Sequence, residues 1–164
     1  YDPPAGRMRL VRGIKETLII DDTYNASPAA TIAALETLAL IAPKGRKIAA
    51  IGDMLELGRH SVEEHRKIGV EVAKTADILM TVGFRARDIA QGALDAGMPD
   101  NNILQHEDSG KAGRELADML KEGDCVLAKG SQSMRMERVV EELMAEPERA
   151  EELLVRQDAE WKKR

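Results

Sequence analysis

Cysteine is almost missing from this chain of 164 residues. Cys125 stands alone, which excludes an internal disulfide framework and fits a reducing compartment. Aromatic residues are as scarce: Tyr1, Tyr24, Phe84 and Trp161 are too few for a base-stacking platform. No apolar run approaches the ~18 residues of a membrane span. The opening Tyr1-Asp2-Pro3-Pro4 has no basic or apolar stretch, so no signal peptide is expected; it also has no initiator Met. Positive charge is not in excess either. With 24 Lys plus Arg against 29 Asp plus Glu, the net charge of −5 argues against a nucleic-acid partner held by bulk charge.

What is present is a core. Hydrophobic residues make up 43% of a length that suits one domain, residues 1–164. Short apolar runs alternate with helical stretches. The runs are Thr17–Ile20, Ile48–Ile51, Ile78–Val82, a weaker Asn102–Gln105, and Cys125–Ala128, with Met8–Arg12 as a possible edge strand beside the first. Runs this short, apolar on both faces, suit buried parallel strands. Between them, Ser27 caps a helix opened by Pro28, with Ile32, Leu35, Leu38 and Ile41 as its buried side. Ser61-Val62-Glu63-Glu64 reads as a capping box for a helix to about Lys74. Helices are also expected over 87–96, 109–121, 135–144 and 148–162, the last a peripheral, solvated one. The alternation implies a three-layer, Rossmann-like α/β fold with about six mostly parallel strands and helices on both faces.

Ligands of open α/β sheets bind outside the carboxyl ends of the strands. Here those ends gather Asp21, Asp22 and Asn25; Gly52 and Asp53; Gly83; and Lys129, Gly130 and Ser131. The acids suit ribose hydroxyls or a metal, and Lys129 suits a carboxylate or phosphate, although Gly and Asp are also ordinary turn residues. No G-x-x-x-x-G-K-[ST] and no G-x-G-x-x-G occurs, so a complete stand-alone ATPase or dehydrogenase is disfavoured. His60, His65 and His106 do not share a helix face at ligand spacing, and no metal site is expected. His65 lies in a charged helix and reads as solvated; Cys125 reads as a packed core residue.

Four strings carry a resemblance: Gly6-Arg7, Asp21-Asp22-Thr23-Tyr24-Asn25-Ala26-Ser27-Pro28, Gly52-Asp53-Met54-Leu55-Glu56-Leu57-Gly58, and Lys129-Gly130-Ser131 with Met134-Arg135-Met136-Glu137. In this order they resemble the C-terminal domain of the Mur ligases, over about residues 6–140, and within that family the branch that adds D-alanyl-D-alanine. The resemblance implies a cytoplasmic, three-domain, ATP-dependent ligase that joins D-Ala-D-Ala to UDP-N-acetylmuramoyl-tripeptide through an acyl phosphate. It implies that the N-terminal UDP-binding and central P-loop domains are absent from this chain, that ATP and Mg²⁺ are used with Mg²⁺ bound mainly by the central domain, and that this domain alone is inactive. A monomer is expected.

Carried over residue by residue, the resemblance implies ATP contacts at Arg7, Asp22, Tyr24 and Asn25. Arg7 corresponds to an arginine reaching the γ-phosphate, Asp22 to an acid on the ribose, and Tyr24 either to a residue at the nucleotide or to one packed under the loop. Asp21 is either structural or a second acid. Lys129, Ser131, Arg135 and Asp53 correspond to the dipeptide or acyl-phosphate side, with Asp53 and Glu56 either orienting substrate or closing a domain interface. One departure stands out: Gln132-Ser133 replaces the Arg-Gly or Arg-Ala pair expected after Ser131, leaving Arg135 to supply the charge. A second reading is a phosphoacceptor receiver domain. Asp21-Asp22, Asp53, Thr81 and Lys129 mimic its order of residues, but Asp53 follows the second run and Lys129 precedes a glycine. A third is an interaction domain without catalysis.

Overall fold

Apolar residues on both faces of each run make strands that must be covered twice, and the computed structural model, which describes residues 2–164, shows how. Tyr1 lies outside the described residues. The strands are β1 (Arg9–Arg12), β2 (Leu18–Asp22), β3 (Lys47–Gly52), β4 (Ile78–Val82), β5 (Ile103–His106) and β6 (Cys125–Lys129). They form one six-stranded sheet in the order β1-β2-β6-β3-β4-β5. Only β1 is antiparallel, pairing with β2 as the edge strand; the other pairs are parallel.

The helices are α1 (Pro28–Leu40), α2 (Ser61–Thr75), α3 (Arg87–Asp95), α4 (Ser109–Met119), α5 (Glu137–Leu143), α6 (Ala150–Leu153) and α7 (Ala159–Lys162). Alternate strand residues face opposite ways and build two cores. Ile20, Ala49, Ile51, Leu79 and Leu127 pack with Leu35, Leu38, Ile68, Val72 and Ile89 of α1–α3. Ile19, Ile48, Met80, Val126 and Ala128 pack with Leu116, Val139, Val140 and Leu143 of α4 and α5. The Rossmann-like three-layer arrangement expected from the runs is therefore the one observed.

Four local expectations are corrected. Ser61 does not cap α2: a 3-10 turn, Gly58–His60, runs straight into the helix, and Ser61 is already helical (φ −55°, ψ −52°). Its hydroxyl meets His65 Nδ1 at 3.3 Å instead. His65 is not solvated but fully buried. In α1 the buried side is Thr31, Ala34, Leu35 and Leu38, with Ile32 and Ile41 only half-buried. The segment 148–162 is not one peripheral helix. A 3-10 turn, Pro147–Arg149, leads into the short α6, an irregular stretch follows, and α7 comes last. Ala150 and Leu154 are buried in the second core, which draws this tail onto the domain.

α2 and α3 meet through glycines. A Cβ on Gly92 would lie 2.2 Å from the Arg66 carbonyl oxygen, and one on Gly69 would lie 2.1 Å from that of Ile89. Neither backbone oxygen can swing aside. Gly92→Ala is expected to lower the stability of this chain by about 1–3 kcal/mol, as overpacked cores do, read as a shift in urea midpoint with unchanged slope.

Candidate functional site

Because β6 is inserted between β2 and β3, three strands from distant parts of the chain end side by side. In register, Asp22 of β2 stands opposite Lys129 of β6. The Lys129 ammonium donates to Asp22 Oδ2 at 2.7 Å and to the Asn25 carbonyl at 2.9 Å. Its side chain is 3% exposed and that of Asp22 is 13% exposed, so this ion pair is largely removed from water. Asp22 Oδ1 accepts the Met8 backbone N–H at 3.1 Å. Two acceptor sites of the carboxylate and one ammonium proton remain available beyond these bonds.

Asp21 turns the other way. It is fully buried, accepts the Thr23 hydroxyl at 2.6 Å and receives the Gly6 N–H at 3.3 Å. Burial pushes its carboxyl up from 3.8 to about 6, against the opposing pull of those hydrogen bonds. The folded protein thus holds this proton more tightly than the unfolded chain, so Asp21's contribution to stability is whole below pH 3.8 and is lost as pH rises through 6. Between pH 5 and pH 8 the loss is about 1 kcal/mol. Urea melts of this chain at the two pH values should show it, and Asp21→Asn should remove it.

The Gly6–Met8 segment and the Asp22–Ser27 loop enclose a cleft of about 440 Å³ at these strand ends. It brings together Arg7, Asp22, Tyr24, Asn25 and Lys129, and the alanine-rich face of α1 (Ala30, Ala33, Ala34) forms its apolar floor. Arg7 is exposed, and its guanidinium carbon sits 4.1 Å from the centre of the Tyr24 ring. The cleft thus offers a cation, an aromatic face and a carboxylate, a set suited to a phosphorylated, ring-bearing ligand. Ser27 accepts the Ala30 N–H at 3.2 Å and acts as the helix cap its sequence suggests.

The other candidate residues are placed differently. Ser131 lines a second cleft of about 390 Å³, shared with Glu56, Gln132 and Asn25, so Asn25 stands at the junction of the two. The Ser131 hydroxyl accepts the Leu55 N–H at 2.9 Å. Asp53, 3% exposed, lines neither cleft: its carboxylate accepts the Ala86 N–H at 2.7 Å, and its carbonyl accepts the Ser131 N–H at 2.9 Å. Arg135 borders a third recess, beside Trp161 and Arg138, and its guanidinium is turned to Glu137 (2.5 Å) and the Trp161 carbonyl (2.8 Å). The charge missing at Gln132 is therefore not supplied to the second cleft by Arg135.

One contributor escaped sequence reasoning. His65 Nε2 accepts the Met54 N–H at 3.0 Å while Nδ1 lies 2.7 Å from the Ser61 carbonyl, the pattern of a neutral ring protonated at Nδ1. It fixes the loop after β3 from beneath. Positions 65, 68, 69 and 72 form the buried side of α2, and that helical spacing was the signal. Cys125 is buried in β6, and burial pushes its thiol up to about 11, so it is an unreactive core residue. Among the described residues no three metal-ligating side chains converge, and no helix is long and apolar enough to cross a membrane.

A mostly parallel sheet covered by helices on both faces, with a polar cleft at the carboxyl strand ends, defines an open α/β domain of the Rossmann class. The receiver reading fails on topology. A receiver sheet orders its parallel strands 2-1-3-4-5, whereas here the last strand lies between the first two of the parallel set. Residues 6–132 match the family described as Mur ligase, glutamate ligase domain, and the chain belongs to that family. It is similar to the UDP-N-acetylmuramoyl-tripeptide–D-alanyl-D-alanine ligase of Bacillus subtilis, 32% identical over 86% of this chain and 31% of that protein. The enzyme of the same name from Synechocystis is 31% identical over 87% of this chain and 31% of its own length. Among solved structures, the MurF ligase of Thermotoga maritima in complex with ADP aligns with a TM-score of 0.71 at 32% identity, covering 87% of this chain and 31% of that one. The chain thus spans about a third of the length of the relatives it matches.

Proposed function

We propose that this chain is the C-terminal, ATP- and dipeptide-side domain of a ligase that joins D-Ala-D-Ala to UDP-N-acetylmuramoyl-tripeptide in peptidoglycan precursor synthesis. The observation that carries the reading is the convergence of Arg7, Asp22, Tyr24, Asn25 and Lys129 on one cleft. A carboxylate is a poor electrophile until one oxygen becomes a good leaving group. Transfer of the γ-phosphoryl group of ATP to the tripeptide carboxylate gives an acyl phosphate and ADP. Attack by the dipeptide amine then forms the amide and releases phosphate. In this scheme Arg7 reaches the γ-phosphate with a planar fork of donors. Asp22 accepts from the ribose, Tyr24 and Asn25 adjoin the base, and Lys129 holds Asp22 and the Asn25 carbonyl in place.

Ser131 and Gln132, in the second cleft, adjoin the dipeptide, and Asn25 links the two substrates. Asp53 and Arg135 serve by bracing the loops. Mg²⁺ finds no grouped ligands among the described residues of this chain, and the proposal assigns it to the rest of the enzyme, together with the P-loop and the UDP-binding region. Use of ATP and of nucleotide-linked precursors places the reaction in the cytoplasm. The test is phosphate release by the full-length enzyme. It should require ATP, UDP-N-acetylmuramoyl-tripeptide and D-Ala-D-Ala together, and this chain alone should release none. Release without the dipeptide, or by this chain alone, would overturn the reading.

A further inference from the structure

The tail that the sequence marks as peripheral packs behind the wall of the first cleft, against Gly6 and the Thr23–Tyr24 loop. Val155 packs on Gly6, where a Cβ would sit 2.9 Å from Val155 Cγ1 and 3.0 Å from the Tyr24 backbone nitrogen. Gly6 holds φ at 72°, and its carbonyl accepts the Tyr24 N–H at 2.9 Å. Beside it, Arg156 donates to the Thr23 carbonyl at 2.5 Å, to the Tyr24 carbonyl at 3.2 Å and to Glu137 Oε2 at 2.8 Å. Glu137, 1% exposed at its side chain, takes Arg135 on its other oxygen at 2.5 Å. One buried carboxylate therefore joins two guanidinium groups, from the turn after β6 and from the tail, to the loop after β2. Arg135 and Arg156 both hold left-handed backbone, at φ 55° and 56°, unusual for residues with a side chain and maintained only where the surroundings over-determine it.

We propose that Arg156 is a positioning residue of the nucleotide cleft. It clamps the carbonyls of Thr23 and Tyr24 and so fixes the Tyr24 ring and the Arg7 guanidinium stacked on it. The proposal rests on the reading of that cleft as the ATP site, and Arg156 lies beyond the residues 6–132 that match the family. A guanidinium suits the position because its two terminal nitrogens, held in a rigid fork, meet three acceptors at once, which an ammonium on a flexible stem reproduces only in part.

Two measurements test it. In the full-length enzyme, Arg156→Ala should raise the KM for ATP about tenfold or more, with the KM for D-Ala-D-Ala within about twofold, and Arg156→Lys should recover only part of the loss. In this chain, Arg156→Ala should speed hydrogen exchange at the Tyr24 amide while the β4 amides keep their protection. If Arg156→Ala does not fold, Arg156→Met, which keeps most of the buried stem and removes the donors to Thr23 and Tyr24, should show the same selective rise in the KM for ATP. A lowered Tm with both KM values unchanged, or both KM values raised alike, would overturn the positioning role. If the wild-type enzyme turns over no ATP, the functional reading fails by itself, and the Tyr24 exchange rate decides whether Arg156 orders the loop.

Discussion

Arg7→Ala in the full-length enzyme is expected to lower turnover about a thousandfold, the range for removing a cation aimed at a transferring phosphoryl group. The same change should leave folding almost untouched. Arg7 is exposed, and among the described residues its guanidinium forms no hydrogen bond or ion pair; its contact is with the Tyr24 ring. An exposed contact of that kind is worth at most ~1 kcal/mol. Large catalytic loss with a Tm near the wild-type value separates a functional arginine from a structural one. Arg7→Lys should restore only part of the rate, because an ammonium offers a point charge where a guanidinium offers a fork. Wild-type rates in Arg7→Ala would remove Arg7 from the site.

Asp22→Ala should behave in the opposite way, losing both stability and turnover. Its carboxylate neutralises a lysine whose side chain is 3% exposed. Removing one partner of such a pair leaves a charge stranded and costs about 3–5 kcal/mol. The Met8 N–H also loses its acceptor. The double variant Asp22→Ala/Lys129→Met deletes the stranded charge and should regain most of that stability in urea melts of this chain. In the full-length enzyme it should regain no turnover, since the acid assigned to the ribose is still missing. If the double variant recovers activity along with stability, Asp22 is only the partner of Lys129. If Asp22→Ala alone is as stable as wild type, the buried ion pair is not holding the strand ends together.

The strands were legible because each is buried on both faces, so a four- or five-residue apolar run with a polar stop has few other uses. Ser27-Pro28 was legible for a similar reason, since cap and first helical residue announce themselves locally. Ser61 misled because its capping signature is equally local, while the 3-10 turn that carries the helix backwards past it, Gly58–His60, is exposed and has no side-chain cap of its own to announce it. His65 was hidden by its charged neighbours, although its spacing to Ile68 and Val72 placed it inside.

The candidate cleft was half legible. The strings named Arg7, Asp22, Tyr24 and Asn25, and the fold gathers them. The ion pair between Asp22 and Lys129 was not legible, because it depends on β6 entering the sheet between β2 and β3, and sequence order does not encode sheet order. Arg156 and Glu137 were harder still. A charge-dense tail reads as solvated, and only tertiary contact shows that Arg156 of that tail closes on Glu137, which also holds Arg135 of the turn after β6, beneath the loop after β2.

The measurement that bears most directly on the central claim is an amide NMR titration of this chain with ADP. Without the contacts of the other domains, binding in the millimolar range is expected, about −4 kcal/mol. Shifts are expected to concentrate at Gly6–Met8 and Asp22–Ala26, with the amides around Gly83–Ala86 unmoved. Shifts centred on Asp53 and Gly83, or none in the presence of about 10 mM ADP, would contradict the assignment of the cleft beside Tyr24 to the nucleotide.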